Sequence, residues 1–242
     1  MTIPFIIIGL GAIGVCALVY CKLTKRLTHA LFVKTGVSVL FMALAAYAAT
    51  RTEVFQTDLG NLALFILIGL TFGLLGDIWL DLKDVHKDSK RTYMYAGFSS
   101  FGIGHIFFFI GLFVILGNSD VSLLLWPAIG GAFLIAAIYF SEKPLKMQCG
   151  EYRPIVLVYS GIICATTVMA LMLALSPDNP QPEFARYFTI GMVLFLLSDL
   201  VLSQTYFSSK GAPDKIFIPL NYLLYYGGQF VIAYSMLTLA PA

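Results

Sequence analysis

A chain of 242 residues that is 59% hydrophobic and 12% charged lies far from soluble domains, where about 25% of residues are charged. Its net charge of +2 points to no nucleic-acid partner, and without a Walker loop or a GxGxxG turn nothing supports nucleotide binding. The composition, with a mean hydropathy of +0.87, is that of an integral membrane protein.

Apolar runs of roughly 20 residues, enough to cross a hydrocarbon core of about 30 Å, recur along the whole chain. They predict an all-α bundle of eight transmembrane helices near 3–21, 27–49, 60–82, 96–117, 121–140, 154–175, 184–205 and 216–238, forming one domain over 1–242. The first run follows MTIPF and precedes Lys22, Lys25 and Arg26. That order is the reverse of a secretory signal, so the first helix is expected to be retained. The second run carries Lys34. The third closes as GLLGDIWLD, with Asp77 inside its end and Asp81 one turn further on. The stretch 83–95 then predicts the longest connection, about a dozen residues, which leaves any chemistry to the bundle or its rim.

In the fourth run Gly97, Phe101, Gly104 and His105 share one helix face, so small residues let a neighbour approach beside the imidazole. The sixth brings Tyr159 and the seventh Asp199. The eighth offers Tyr222, Tyr225, Tyr226 and Gln229, of which Tyr225 and Gln229 face the same way. The cysteines, at 16, 21, 149 and 164, have neither CxxC nor metal-ligand spacing. They predict no disulfide, and no metal or other cofactor is expected.

Lys and Arg concentrate in the first, third, fifth and seventh connections, against Arg51 and Arg186 in the even ones. The positive-inside rule therefore puts the odd connections in the cytoplasm and both termini outside. Short loops and the lack of an Asn-x-Ser/Thr acceptor favour a bacterial cell membrane. On this topology Asp77 and Asp199 lie about 8 to 9 Å from the cytoplasmic end of their spans, and Lys34 and His105 roughly 9 to 14 Å in from the same side. A polar cavity open toward the cytoplasmic leaflet is expected.

A shift of 122 residues lays GLTFGLLGDIWL (69–80) on GMVLFLLSDLVL (191–202), matching Asp77 with Asp199. This predicts parallel four-helix repeats, 1–120 and 121–242, with the two aspartates facing each other where the halves meet. Ionisable groups inside a membrane usually have a role, although plainer readings exist. Asp81 reads equally as a headgroup-zone residue beside Lys83 and Asp84, Lys34 as a counter-ion for an aspartate, and His105 as a hydrogen-bonded core histidine.

Gly76-Asp77, Gly97-x3-Phe101-x2-Gly104-His105, Leu197-Ser198-Asp199 and Tyr225-Tyr226-x2-Gln229, in this order, resemble the YhhN family of lysoplasmalogenase-like membrane proteins. Lys34 matches the lysine of that family's early Lys-Pro motif, although Thr35 follows it here. The resemblance implies an eight-helix hydrolase that cleaves the vinyl ether bond of lysoplasmalogens to a fatty aldehyde and glycerophosphocholine or glycerophosphoethanolamine. Its partners would be the lysophospholipid, membrane lipids and water. Asp77 and Asp199 map onto the catalytic pair.

The chemistry suits two carboxyls: one protonates the vinyl β-carbon, and the other, ionised, steadies the oxocarbenium ion that water captures. Lys34 is a candidate for the lipid phosphate. His105, Tyr225, Tyr226 and Gln229 are candidates for orienting water or headgroup, with Asp81, Tyr159 and Ser198 in support. A proton-coupled transporter is the alternative, since it too would use membrane Asp, His and Lys.

Overall fold

The computed structural model describes residues 2–116, 121–209 and 214–239. The described residues are all-helical, 88% of them in helices, with eight helices long enough and apolar enough to span a membrane. These are α1 (Thr2–Leu23), α2 (Leu27–Arg51), α3 (Gly60–Val85), α4 (Lys90–Ile115), α5 (Leu125–Ser141), α6 (Arg153–Leu175), α7 (Pro182–Phe207) and α8 (Asp214–Ser235).

The connection expected over 83–95 is corrected. α3 runs on to Val85, a 3₁₀ turn covers Lys87–Ser89, and α4 begins at Lys90. An apolar window stops at the last apolar residue, whereas a helix continues for as long as its polar side chains find partners. Lys83 and Asp84 do so here, with Lys83 Nζ 3.2 Å from Asp84 Oδ1. The longest described connection is instead 142–152, between α5 and α6. Gln148 N donates to Phe207 O at 2.7 Å and Ser209 N to Lys146 O at 3.0 Å, pinning this segment to the end of α7. The ion pair of Arg153 with Glu142 closes its base.

Consecutive helices pack as hairpins, with the exception of α4 and α5. α4 leans on α6 and α2 on α8, closing the bundle. α1 and α5 lie outermost; α5 rests mainly on α6 and buries only Pro127 and Gly131. Large apolar side chains point outward all round, among them Phe32 at 72%, Phe133 at 73% and Leu223 at 67% exposure. Lipid, not water, is the solvent such a surface fits.

α3 and α7 have 26 residues each, and the 122-residue shift carries the ends of one onto the ends of the other. Each crosses its hairpin partner at a pair of glycines. A Cβ on Gly104 would meet Gly69 O at 2.8 Å and one on Gly69 would meet Gly104 O at the same distance, while Gly191 and Gly228 stand in the same relation at 2.9 and 2.8 Å. Backbones this close leave no room for any side chain, and dispersion between them replaces the hydrophobic drive that lipid does not supply.

Gly228→Ala is therefore expected to destabilise the bundle by about 1–3 kcal/mol through overpacking. Gly36→Ala, where nothing lies within 4 Å of the added Cβ, should be neutral or slightly stabilising. Unfolding of both variants in mild detergent is the check.

Candidate active site

The polar interior is built on α3. Asp77 and Asp81, one turn apart, project from the same face and are 1% and 2% exposed. Lys34 of α2 reaches between them, its Nζ 3.1 Å from Asp77 Oδ1 and 3.1 Å from Asp81 Oδ1. Lys22 of α1 lies 3.1 Å from Asp81 Oδ2, an ion pair without an aligned hydrogen bond, and 3.0 Å from Asp84 Oδ2. Lys83 continues the series from Asp84 to Tyr206, donating to its hydroxyl at 3.0 Å. Alternating charges thus run from the surface of the lysine-rich end to Asp77, each matched by its neighbours. Without such matching, desolvation would cost several kcal/mol per ion.

Asp77 is the most fully held of these groups. Ser38, one turn beyond Lys34, donates to Oδ2 at 2.6 Å, and Tyr225 of α8 donates to the same oxygen at 2.8 Å. Gln229, one turn further along α8, donates Nε2 to the Tyr225 hydroxyl at 3.2 Å. Tyr226 donates to Lys34 O at 3.2 Å and lies 3.2 Å from Ser38 Oγ. Two donors on one oxygen and an ammonium on the other suit a carboxylate.

Asp199 of α7 has a different setting. Tyr159 of α6 is its hydrogen-bonding neighbour, and Oδ2 is buried without a partner among the described residues. No cation pairs with it among those residues. Phe195, one turn earlier, packs edge-on against Tyr225 at 5.3 Å and against His105 at 4.6 Å. The two aspartates line one narrow cavity of about 30 Å³ together with Lys34, Tyr159, Asn221 and Tyr225. That is room for a water or two.

Two larger recesses adjoin it. An apolar groove of about 280 Å³ between α5, α6 and α7 shares Phe98, Tyr159, Asp199, Leu202 and Tyr206 with the cavity. A vestibule of about 760 Å³ at the lysine-rich end is lined by Lys22, Lys25, Lys83, Lys87 and Lys90, and shares Leu202, Tyr206, Asn221 and Tyr222 with it. Cys149 borders groove and vestibule. Burial, with Glu142 beside it, pushes its thiol up to about 12, so it stays a neutral wall.

Asp77, Asp199, Lys34, Tyr159 and Tyr225 thus come together around the cavity. Tyr226 and Gln229 stand behind them, and Asp81 is buried between two lysines, Lys22 and Lys34. Lys34, a candidate for the lipid phosphate, faces two carboxylates, and the lysines that line the open vestibule are Lys22, Lys25, Lys83, Lys87 and Lys90. His105 is buried beside Phe108 and Phe195, with Nδ1 unpartnered among the described residues, and lines none of these recesses. Ser198 turns its hydroxyl back to Phe195 O at 2.7 Å, and its carbonyl accepts from Asn221 Nδ2 at 2.8 Å.

Ser38, Asn221 and Lys22 were not singled out as site residues. Ser38 carries a readable signal, being four residues after Lys34 on the same helix face. Asn221 carries none without the α7–α8 contact. The helices also run past their apolar windows, so both aspartates lie eight residues from the ends of α3 and α7, about 12 Å at 1.5 Å per residue. The 8 to 9 Å expected is corrected accordingly.

Lys34→Met removes the ion shared by two buried carboxylates and is expected to cost about 3–5 kcal/mol. Glu151→Gln, in the exposed ion pair with Arg91, should cost under about 1 kcal/mol. Chemical denaturation in detergent separates the two.

No curated protein and no solved structure matches the chain. The model of the YhhN family matches residues 30–236, a stretch that includes Lys34, both cavity aspartates, His105 and Gln229. The chain belongs to the YhhN family.

Proposed function

We propose that the protein is a membrane-embedded hydrolase that cleaves the vinyl ether bond of lysoplasmalogens, the activity with which the YhhN family is associated. The observation that carries this reading is the pairing, around one small cavity, of two buried carboxyls with opposite surroundings. Asp77 meets a lysine, a serine and a tyrosine and serves as the standing anion. Asp199, with Tyr159 alone and one oxygen free, carries the proton.

The reaction follows from that difference. Asp199 donates its proton to the β-carbon of the vinyl ether, and the C=C electrons form the new C–H bond, leaving an oxocarbenium ion. The Asp77 carboxylate lowers the energy of that cation in a site where charge is poorly screened. A water in the cavity attacks the cationic carbon and gives its proton to the Asp199 carboxylate, which is thereby reset. The hemiacetal then collapses, its hydroxyl proton passing to the departing glycerol oxygen, to give aldehyde and alcohol.

This reading places the lysine-rich end in the cytoplasm, following the distribution of Lys and Arg. It also takes the halves as parallel repeats, which the matched bounds of α3 and α7 and their matched glycine crossings support. The cavity then lies where the repeats meet, as in other membrane proteins built from repeats.

The test is fatty-aldehyde release from lysoplasmenylcholine and lysoplasmenylethanolamine by the purified protein, beside an ester lysolipid that should yield none. Asp199→Asn and Asp77→Asn are each expected to lower turnover by about 10²–10⁴-fold, the usual weight of a general acid, with elution and helicity unchanged. Near-normal turnover in both variants would refute the assignment. Silence from folded wild-type protein would refute the reaction and bring a proton-coupled transporter forward.

Tyr225→Phe removes one hydrogen bond to the Asp77 carboxylate, an interaction of about 1.5–3 kcal/mol. Turnover should fall by about 10- to 100-fold. KM should hardly move, because the hydroxyl is spent on Asp77 and not on substrate.

A further inference from the structure

The groove between α5, α6 and α7 is larger than the carboxyl chemistry requires. Its walls are Leu134 and Ile138 of α5, Ser160 and Ile163 of α6, and Leu196 and Leu200 of α7. At about 280 Å³ it lies at the low end of small-ligand sites, which suits one chain segment and not two.

Three features say what fills it. Its inner end holds Asp199, whose Oδ2 is buried and unpartnered among the described residues. Its outer rim carries Leu200 and Leu145, 45% and 53% exposed, on the flank where α5 rests mainly on α6. The groove therefore opens sideways, toward the hydrocarbon that such a surface faces. At the lysine-rich end it adjoins the vestibule across Cys149, Leu202, Tyr206 and Phe207, so an apolar slot and five ammonium groups lie side by side.

We propose that this groove is the hydrocarbon-chain site, and the lateral door from the bilayer, for a phospholipid with a single chain. The phosphate rests among the vestibule lysines, where point charges meet it, and the first carbons of the chain lie at Asp199. A second chain is refused because the space beyond Asp199 is the cavity of about 30 Å³, walled by Phe98, Phe101 and Phe195. The location of the chain's first carbons rests on the hydrolase reading. The binding itself does not.

Binding is read apart from turnover with saturated 1-O-alkyl lysophosphocholines, which have the head and chain but no vinyl bond. Purified protein in detergent is titrated with tritiated hexadecyl and octyl compounds. Ser160→Trp and Leu134→Trp fill the groove from opposite walls. Each is expected to weaken hexadecyl binding by about tenfold or more, the loss of a few buried methylenes, while octyl binding stays within about twofold. Ile129→Trp, on the outward face of α5 at 48% exposure, should keep the wild-type profile, and a diacyl phosphatidylcholine should not compete.

A hexadecyl compound with a diazirine in its chain, photolysed on the wild type, supplies a test that needs no variant to fold. Label on Leu134, Ile138 or Leu196 supports the groove; label confined to the outer faces of α1 and α5 overturns it. Unchanged hexadecyl binding in both filled variants, or equal competition by the diacyl lipid, overturns it as well. Wild-type protein that shows this binding profile but releases no aldehyde refutes the proposed reaction and leaves the groove standing.

Discussion

Lys34 sits with its Nζ 3.1 Å from both Asp77 and Asp81, in surroundings where an unmatched ion costs several kcal/mol. Everything polar in this bundle is arranged around that cost. Lys34 ties α2 to α3, Ser38 and Tyr225 bring α2 and α8 onto the same carboxylate, and Lys22 extends the series to α1. A helix carrying these aspartates has one low-energy rotation about its axis, the one that turns them toward the lysines. Lipid offers them nothing.

Electrostatics fixes orientation, and the glycines fix distance. α7 and α8 approach to backbone contact at Gly191 and Gly228, and α3 and α4 do the same at Gly69 and Gly104, so the helices that carry Tyr225 and Asp77 are each seated on a close-packed partner. Side chains at these four positions would push each of these hairpins apart and displace the helices that carry Asp77 and Tyr225. Packing and charge are thus one constraint here.

Much of this was legible in the chain. Eight apolar runs gave the helices, and Asp77, Asp199, Lys34 and Tyr225 stood out because an ionisable or hydroxyl group in an apolar span needs a reason. Hidden were the features that depend on which helix faces which. Asp81 and Lys22 look like ordinary headgroup-zone residues until α1 is seen against α3. His105, beside a small-residue face, looked like a site residue yet packs among Phe108 and Phe195 away from the recesses. The end of α3 was hidden because the ion pair of Lys83 and Asp84 carries the helix beyond its apolar window.

The remaining question is how two nearly equivalent aspartates come to differ. Asp77 and Asp199 are related by the same 122-residue shift as the helices that bear them, so the backbone treats them alike. Their partners do not. The helix packed on α3 supplies Lys34 and Ser38, whereas α6, packed on α7, supplies Tyr159 and the apolar groove. Two helices of matched bounds with a cation beside one alone leave, on the proposed reading, one carboxyl to stand as an anion and the other to keep and pass a proton. For the acid catalysis proposed here, that asymmetry is the requirement, since two equally paired carboxylates would have no proton to give.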